Sequence, residues 1–105
     1  MNQVQKEVSA WSTKTFGRDP SRIHGMMAHL EKEVAELERT VTLDGASKPG
    51  RLRDELADCI MLLYDMADIS GFDVNQIVRE KLMINKAREW GPPNPDGSVE
   101  HVRKP

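Results

Sequence analysis

Cysteine is almost missing from this 105-residue chain: Cys59 stands alone. An internal disulfide is therefore excluded, and a reducing compartment, the cytoplasm, is the expected location. Aromatic residues are scarce as well, with two Trp, two Phe and one Tyr. A chain this short buries only a modest fraction of its surface, so self-association that covers further apolar helix surface is expected. An excess of either charge is also missing. Fifteen basic against seventeen acidic residues leave a formal charge of −2, and no basic stripe or arm marks a surface for a nucleic acid polymer. The longest apolar run, residues 59–64, is far too short to cross a bilayer. The opening MNQVQKEVSAW carries no apolar segment of the signal-peptide kind. One cytoplasmic domain without a membrane anchor is the expectation.

What the chain does contain is helical spacing. Strand-like alternation is not found, whereas apolar residues recur every three or four positions. A first helix is expected over residues 2–15, with Val4, Val8 and Trp11 on one stripe, stopping at Phe16-Gly17. Asp19-Pro20-Ser21 is a start signal, with Pro20 suited to a first turn. The second helix then carries Ile23, Met26, Met27, Leu30, Val34, Leu37 and Val41 along its apolar side. Residues 42–50, TLDGASKPG, read as a polar loop. A third helix is expected over residues 51–70, ended by Gly71. Asp73 opens a fourth, which reaches Trp90 before Gly91-Pro92-Pro93. The sum is an all-α, four-helix bundle-like domain over residues 1–90. A polar, proline-rich tail follows over residues 91–105, extended or mobile unless it closes over a ligand or a neighbour.

Two acidic pairs stand out on adjacent helices, Glu33-x-x-Glu36 and Glu55-x-x-Asp58. Residues three apart share a helix face, so each pair can aim two carboxylates at one point. Two such helices side by side would gather the oxygen donors that hard divalent cations prefer. Taken alone, Glu33 and Glu36 read as a solvated face bridged to Lys32 and Arg39. Glu55 and Asp58 shift the balance, because their helix is apolar nearly all round and an unpaired buried carboxylate costs several kcal/mol, roughly. Asp65 extends that acidic line by seven residues; it serves equally well as partner to a lysine or arginine.

On the fourth helix Lys81, Asn85 and Arg88 share a face, two cations and an amide suited to phosphate oxygens or to an ordinary basic helix end. Trp90 stacks on a base or plugs the bundle end. Other chemistries fail on their residues. No Glu-x-x-His pair supports a di-iron bundle, and one cysteine with three scattered histidines makes no zinc site. The glycine spacing from Gly45 to Gly50 imitates a phosphate loop, but Arg51-Leu52 stands where Lys-Ser/Thr is required.

The acidic quartet, the segments WSTKTFG (residues 11–17) and HLEKEVAELE (residues 29–38), and the series Lys81, Asn85, Arg88, Trp90 together resemble a known family. It is the MazG-like all-α nucleoside triphosphate pyrophosphohydrolases, within them the dATP/dGTP pyrophosphohydrolase branch with its phage MazZ-like enzymes. The likeness covers residues 11–90. It implies hydrolysis of a purine deoxynucleoside triphosphate to monophosphate and pyrophosphate. Mg2+, with Mn2+ able to substitute, would be held by the catalytic carboxylates Glu33, Glu36, Glu55 and Asp58, with Asp65 assisting. It also implies phosphate or sugar contacts from Lys81, Asn85 and Arg88, with Lys32 a weaker phosphate candidate. Trp11, Thr15 and Phe16 are expected at the nucleoside end, in a homodimer or homotetramer. Two competing readings stay open at this point: the same chemistry on a pyrimidine or damaged nucleotide, and a silent helical dimer that binds a partner protein.

Overall fold

The structure, a computed structural model, describes residues 2–44 and 48–103. Four α-helices make up its regular structure, α1 (Gln3–Phe16), α2 (Arg22–Arg39), α3 (Pro49–Ile69) and α4 (Val74–Ala87), with no strand among the described residues. No helix of the described residues is long and apolar enough to cross a membrane. The chain divides into two compact units, Met1–Val74 and Asn75–Pro105.

In the first unit the helix ends follow local chemistry. The Asn2 side chain accepts a hydrogen bond from the Val4 N–H at 2.8 Å, capping α1. Gly17, at φ 84°, ends it by donating to the Thr13 carbonyl. Asp19 then accepts from the Ser21 N–H at 2.9 Å, an Asx turn that starts α2; this backbone bond lowers the Asp19 pKa below its ordinary value. α2 does not simply stop where a polar loop was expected. Thr40–Asp44 continue it as one wider π-helical turn, with Thr40 buried. Residues 45–47, the rest of that loop with Gly45, lie outside the described residues. α3 begins at Pro49, earlier than expected, because proline costs nothing in a first turn whose N–H groups have no helical acceptor. Its end is a Schellman motif: Phe72 N–H reaches the Ala67 carbonyl at 2.8 Å and Gly71 N–H reaches that of Asp68 at 3.0 Å. Gly71 supplies the positive φ that this turn requires.

α3 is the central element and packs against both α1 and α2. The α1–α3 seam corrects the sequence reading. Val4 and Trp11, expected on the core stripe, are more than half exposed, whereas Gln5 and Ser12 are 0% and 1% exposed. The inward stripe is Gln5, Ser9, Ser12, with Ser9 half-buried, turned about 100° from the apolar one. It buries because each member has a partner. Gln5 donates its amide to the Phe72 carbonyl and accepts from the Val74 N–H, both at 2.9 Å. The second bond satisfies an N–H at the start of α4 that no helical carbonyl can reach. Ser9 bonds Asp68, which is also paired with Arg18, and Ser12 bonds Asp65 at 2.5 Å. Apolar burial is thin. Met26 and Cys59 are the buried hydrophobic residues of the described chain, while Val34, Leu56, Ile60 and Leu63 stay exposed.

The second unit contains most of α4 and a hairpin. α4 ends at Ala87 rather than at Trp90, because Trp90 turns back and its indole N–H donates to the Asn85 carbonyl at 2.9 Å. Residues 91–103, expected to be extended or mobile, fold onto the end of that helix. Trp90 and His101 form an antiparallel bridge, with Gly91 N–H to the Glu100 carbonyl at 3.0 Å and Val102 N–H to that of Glu89 at 2.7 Å. Between them the chain reverses at Pro95-Asp96-Gly97, with Gly97 at φ 87°. Asn94 N–H closes the reversal on the Ser98 carbonyl at 2.7 Å. Residues 104 and 105 lie outside the described residues.

Candidate active site

A cavity of about 400 Å3 opens in the first unit among α1, α2 and α3. α1 gives it Val8, Trp11, Ser12 and Phe16; α2 gives Arg22, Gly25, Met26, His29 and Glu33; α3 gives Asp58, Met61, Leu62 and Asp65. Its wall is therefore apolar and aromatic along most of its length and acidic at one side. Phe16 stands edge-on to Trp11, with ring centroids 5.5 Å apart and planes at 89°. The Arg22 guanidinium lies over the Phe16 ring, its carbon 5.2 Å from the centroid.

The acidic side is electrostatically incomplete. Glu33 faces the His29 ring nitrogen through Oε1 at 3.2 Å, but its Oε2 is buried without a hydrogen-bond partner. Glu55 Oε2 is in the same condition. Buried polar atoms in folded proteins are overwhelmingly paired, so two orphaned carboxylate oxygens demand an explanation. Burial chiefly, and then the negative charges of Glu33, Asp58 and Glu55, push the Cys59 thiol pKa up. That makes Cys59 an inert core residue beside three carboxylates, not a nucleophile. Among the described residues no three acidic, histidine or cysteine side chains converge as they stand tightly enough to grip an ion. Two orphaned carboxylate oxygens, near Asp58, nevertheless fit a bound divalent cation.

The expected site residues fall into three groups. Trp11, Phe16, Glu33, Asp58 and Asp65 line the one cavity, and Glu55 joins Glu33 and Asp58 around Cys59. Thr15, Lys32 and Glu36 are exposed and do not line it; the Thr15 hydroxyl is committed to the Trp11 carbonyl at 2.8 Å. Lys81, Asn85, Arg88 and Trp90 belong to the second unit. There Arg88 donates to the Asn85 side chain at 3.2 Å, and the Trp90 ring meets His101 edge-on at 6.0 Å. Sequence reading missed Ser12, Arg22 and His29. The His29–Glu33 pair had a visible signal, its four-residue helical spacing. Arg22 had none, because its acidic partner Asp65 lies 43 residues further along the chain.

The solved structure of the cyanophage S-2L MazG-like pyrophosphohydrolase, bound to dGDP and three catalytic Mn2+ ions per active site, is similar to this chain. Its TM-score is 0.76 and its identity 32%, over 98% of this chain and 93% of that one. The all-α architecture is thus that of the MazG-like pyrophosphohydrolases. Two phage proteins described as dATP/dGTP diphosphohydrolases are similar in sequence. The one from Salmonella phage PMBT28 is 37% identical over 94% of this chain, which spans only 30% of that protein's length. The one from cyanophage S-2L is 33% identical over 95% of this chain and 86% of its own. The family model of the dATP/dGTP pyrophosphohydrolases matches residues 4–105, and the chain belongs to that family.

Proposed function

We propose that the protein hydrolyses purine deoxynucleoside triphosphates, dATP or dGTP, with water to the deoxynucleoside monophosphate and pyrophosphate. The observation that carries this reading is the pair of buried, unpartnered oxygens, Glu33 Oε2 and Glu55 Oε2, beside a cavity whose other wall is aromatic. Family membership and the Mn2+- and dGDP-bound neighbour point the same way. Glu33, Glu36, Glu55 and Asp58 are the proposed ligands of Mg2+, with Mn2+ able to substitute. Bound divalent ions supply charge for the triphosphate and make water a competent nucleophile at neutral pH.

The chain's own residues do the rest. Trp11 and Phe16 offer ring surface to the base, and the apolar side chains Met26, Met61 and Leu62 exclude water from that end of the cavity. His29 steadies Glu33 by its contact with Oε1, leaving Oε2 to face a ligand. Lys81, Asn85 and Arg88 are proposed as phosphate or sugar contacts on their charge and spacing, with Lys32 a weaker phosphate candidate, Thr15 at the nucleoside end beside Trp11 and Phe16, and Trp90 chiefly capping α4. The thin apolar core and the exposed Leu56, Ile60 and Leu63 of α3 support a homodimer or homotetramer. The lone cysteine, Cys59, supports a cytoplasmic location.

A panel of ribo- and deoxynucleoside triphosphates with Mg2+ or Mn2+ tests this, resolving monophosphate plus pyrophosphate from diphosphate plus phosphate. Monophosphate and pyrophosphate from dATP or dGTP, lost with a chelator, is the expected result. Turnover of none of them, with no metal-dependent gain in thermal stability, would return the chain to the silent binding modules.

A further inference from the structure

Asp65 lines the cavity but is already engaged. Its Oδ2 accepts from the Ser12 hydroxyl at 2.5 Å and from Arg22 Nη2 at 3.3 Å, and Arg22 Nη2 also lies 3.3 Å from the Ser12 oxygen. The other terminal nitrogen of Arg22, Nη1, donates to the Gly17 carbonyl at 2.8 Å. The guanidinium is thereby held by both terminal nitrogens while its carbon lies over the Phe16 ring. Phe16 is the last residue of α1 and is 57% exposed. An aromatic ring so exposed gains little orientation from packing, so the ring stands where Trp11 at its edge and Arg22 at its face put it.

We infer that Ser12, Asp65 and Arg22 form a positioning relay that sets the Phe16–Trp11 wall for the nucleoside, and that Asp65 serves this relay and not the metal. The inference rests on reading the cavity as a nucleotide site. The order of dependence is physical. Ser12 and Asp65 are almost fully buried and cannot move without leaving a polar atom unpaired. Arg22, half-buried, is fixed by them and by the Gly17 carbonyl. Phe16 follows Arg22. A bicyclic purine presents more ring area to such a wall than a pyrimidine does, so loosening the wall weakens purine binding first.

The test compares the wild type with Arg22→Lys, Asp65→Asn, the double variant and Phe16→Leu. The readouts are KM and kcat for dGTP and dCTP, the calorimetric Kd of a non-hydrolysable dGTP analogue, and the Kd of Mn2+ alone. Lysine cannot bond Gly17 and Asp65 at once in the fork of a guanidinium, and asparagine keeps the shape of Asp65 without its charge. Each single variant is expected to raise the dGTP KM and the analogue Kd about tenfold, with kcat within about twofold and dCTP less affected. The double variant should be no worse than the worse single one, because both act through one ring. Mn2+ affinity should survive Asp65→Asn. Phe16→Leu leaves every polar bond of the relay in place and should reproduce the same KM change, which guards against misfolding of the other variants. Unchanged dGTP KM in folded Asp65→Asn or Phe16→Leu overturns the inference, as does loss of Mn2+ binding in Asp65→Asn. A wild type that neither binds nor turns over any nucleotide overturns the cavity reading itself, and the relay's role with it.

Discussion

Replacing Glu55 by glutamine gives the most direct probe of the acidic side. In the ion-free protein Glu55 Oε2 is buried and unpartnered, a condition that costs about 1–3 kcal/mol for a polar atom and more for a charged one. Glutamine keeps the shape and removes the charge, so ion-free Glu55→Gln should be more stable than wild type by about 1–2 kcal/mol. For a domain of this size that is a rise in Tm of roughly 5–15 °C. The ion response should run the other way. A ligand present at a hundred times its Kd stabilises the folded state by about 2.7 kcal/mol, so Mn2+ should lift the wild-type Tm by roughly 10–20 °C. The variant at the same Mn2+ concentration should show little or none of that gain. Differential scanning calorimetry in EDTA and in Mn2+, at fixed protein concentration, reads both effects. A variant less stable than wild type in EDTA, or equally stabilised by Mn2+, would refute the argument that Glu55 is a buried charge awaiting a cation.

Gln5→Leu should cost about 2–4 kcal/mol in denaturant unfolding, because it strands both the Phe72 carbonyl and the Val74 N–H that the amide now satisfies. Asp68 gives a pH signature. Burial by itself would raise its pKa, but hydrogen bonds from Ser9 and Arg18 and the Arg18 charge outweigh it and hold the pKa below 3.8. A depressed folded pKa means stability that is fully present above the unfolded value and lost as pH falls through the folded one. Asp68→Asn should therefore unfold with a shallower acid dependence below about pH 4 in a stability-versus-pH series. Trp90→Phe keeps a ring against His101 but removes the donor to the Asn85 carbonyl. Faster hydrogen exchange at the Gly91 and Val102 amides is the expected result, and unchanged protection would show that the indole N–H does not brace the hairpin.

Helix positions were legible because spacing and stop signals agree locally: Gly17 and Gly71 act at the ends where they were expected. Pro49 misled because a proline inside a polar stretch looks like loop until it is known to be the first residue of a helix. The π turn at Thr40–Asp44 was invisible, since Val41 continues the apolar spacing of α2 in either geometry. The larger gap was the α1–α3 seam. Val4, Val8 and Trp11 look like a core stripe, whereas Gln5, Ser9 and Ser12 look like the face turned to water. Nothing local reveals that Phe72, Asp68 and Asp65, some sixty residues away, hold their partners. The 43-residue separation of Arg22 from Asp65 hid that pair as well. In the candidate site helical spacing brought Glu33, Asp58 and Asp65 to one cavity, whereas Glu36, expected beside Glu33, is exposed and does not line it. The missing partners of Glu33 Oε2 and Glu55 Oε2 emerged only with the packing around them.

That polar seam divides labour around the circumference of α1. Gln5, Ser9 and Ser12 act as a ruler: a slip of α1 along α3 by one turn would orphan several buried groups at once, so the register is locked by hydrogen bonds instead of by side-chain shape. Val8 and Trp11, on the neighbouring face, look into the cavity and carry little of that constraint. Mutation can therefore explore new side chains at the mouth of the cavity without unzipping the helix that presents them. A helix indexed on one face and open to drift on the next gives a small fold a way to reshape its cavity while its backbone stays in place.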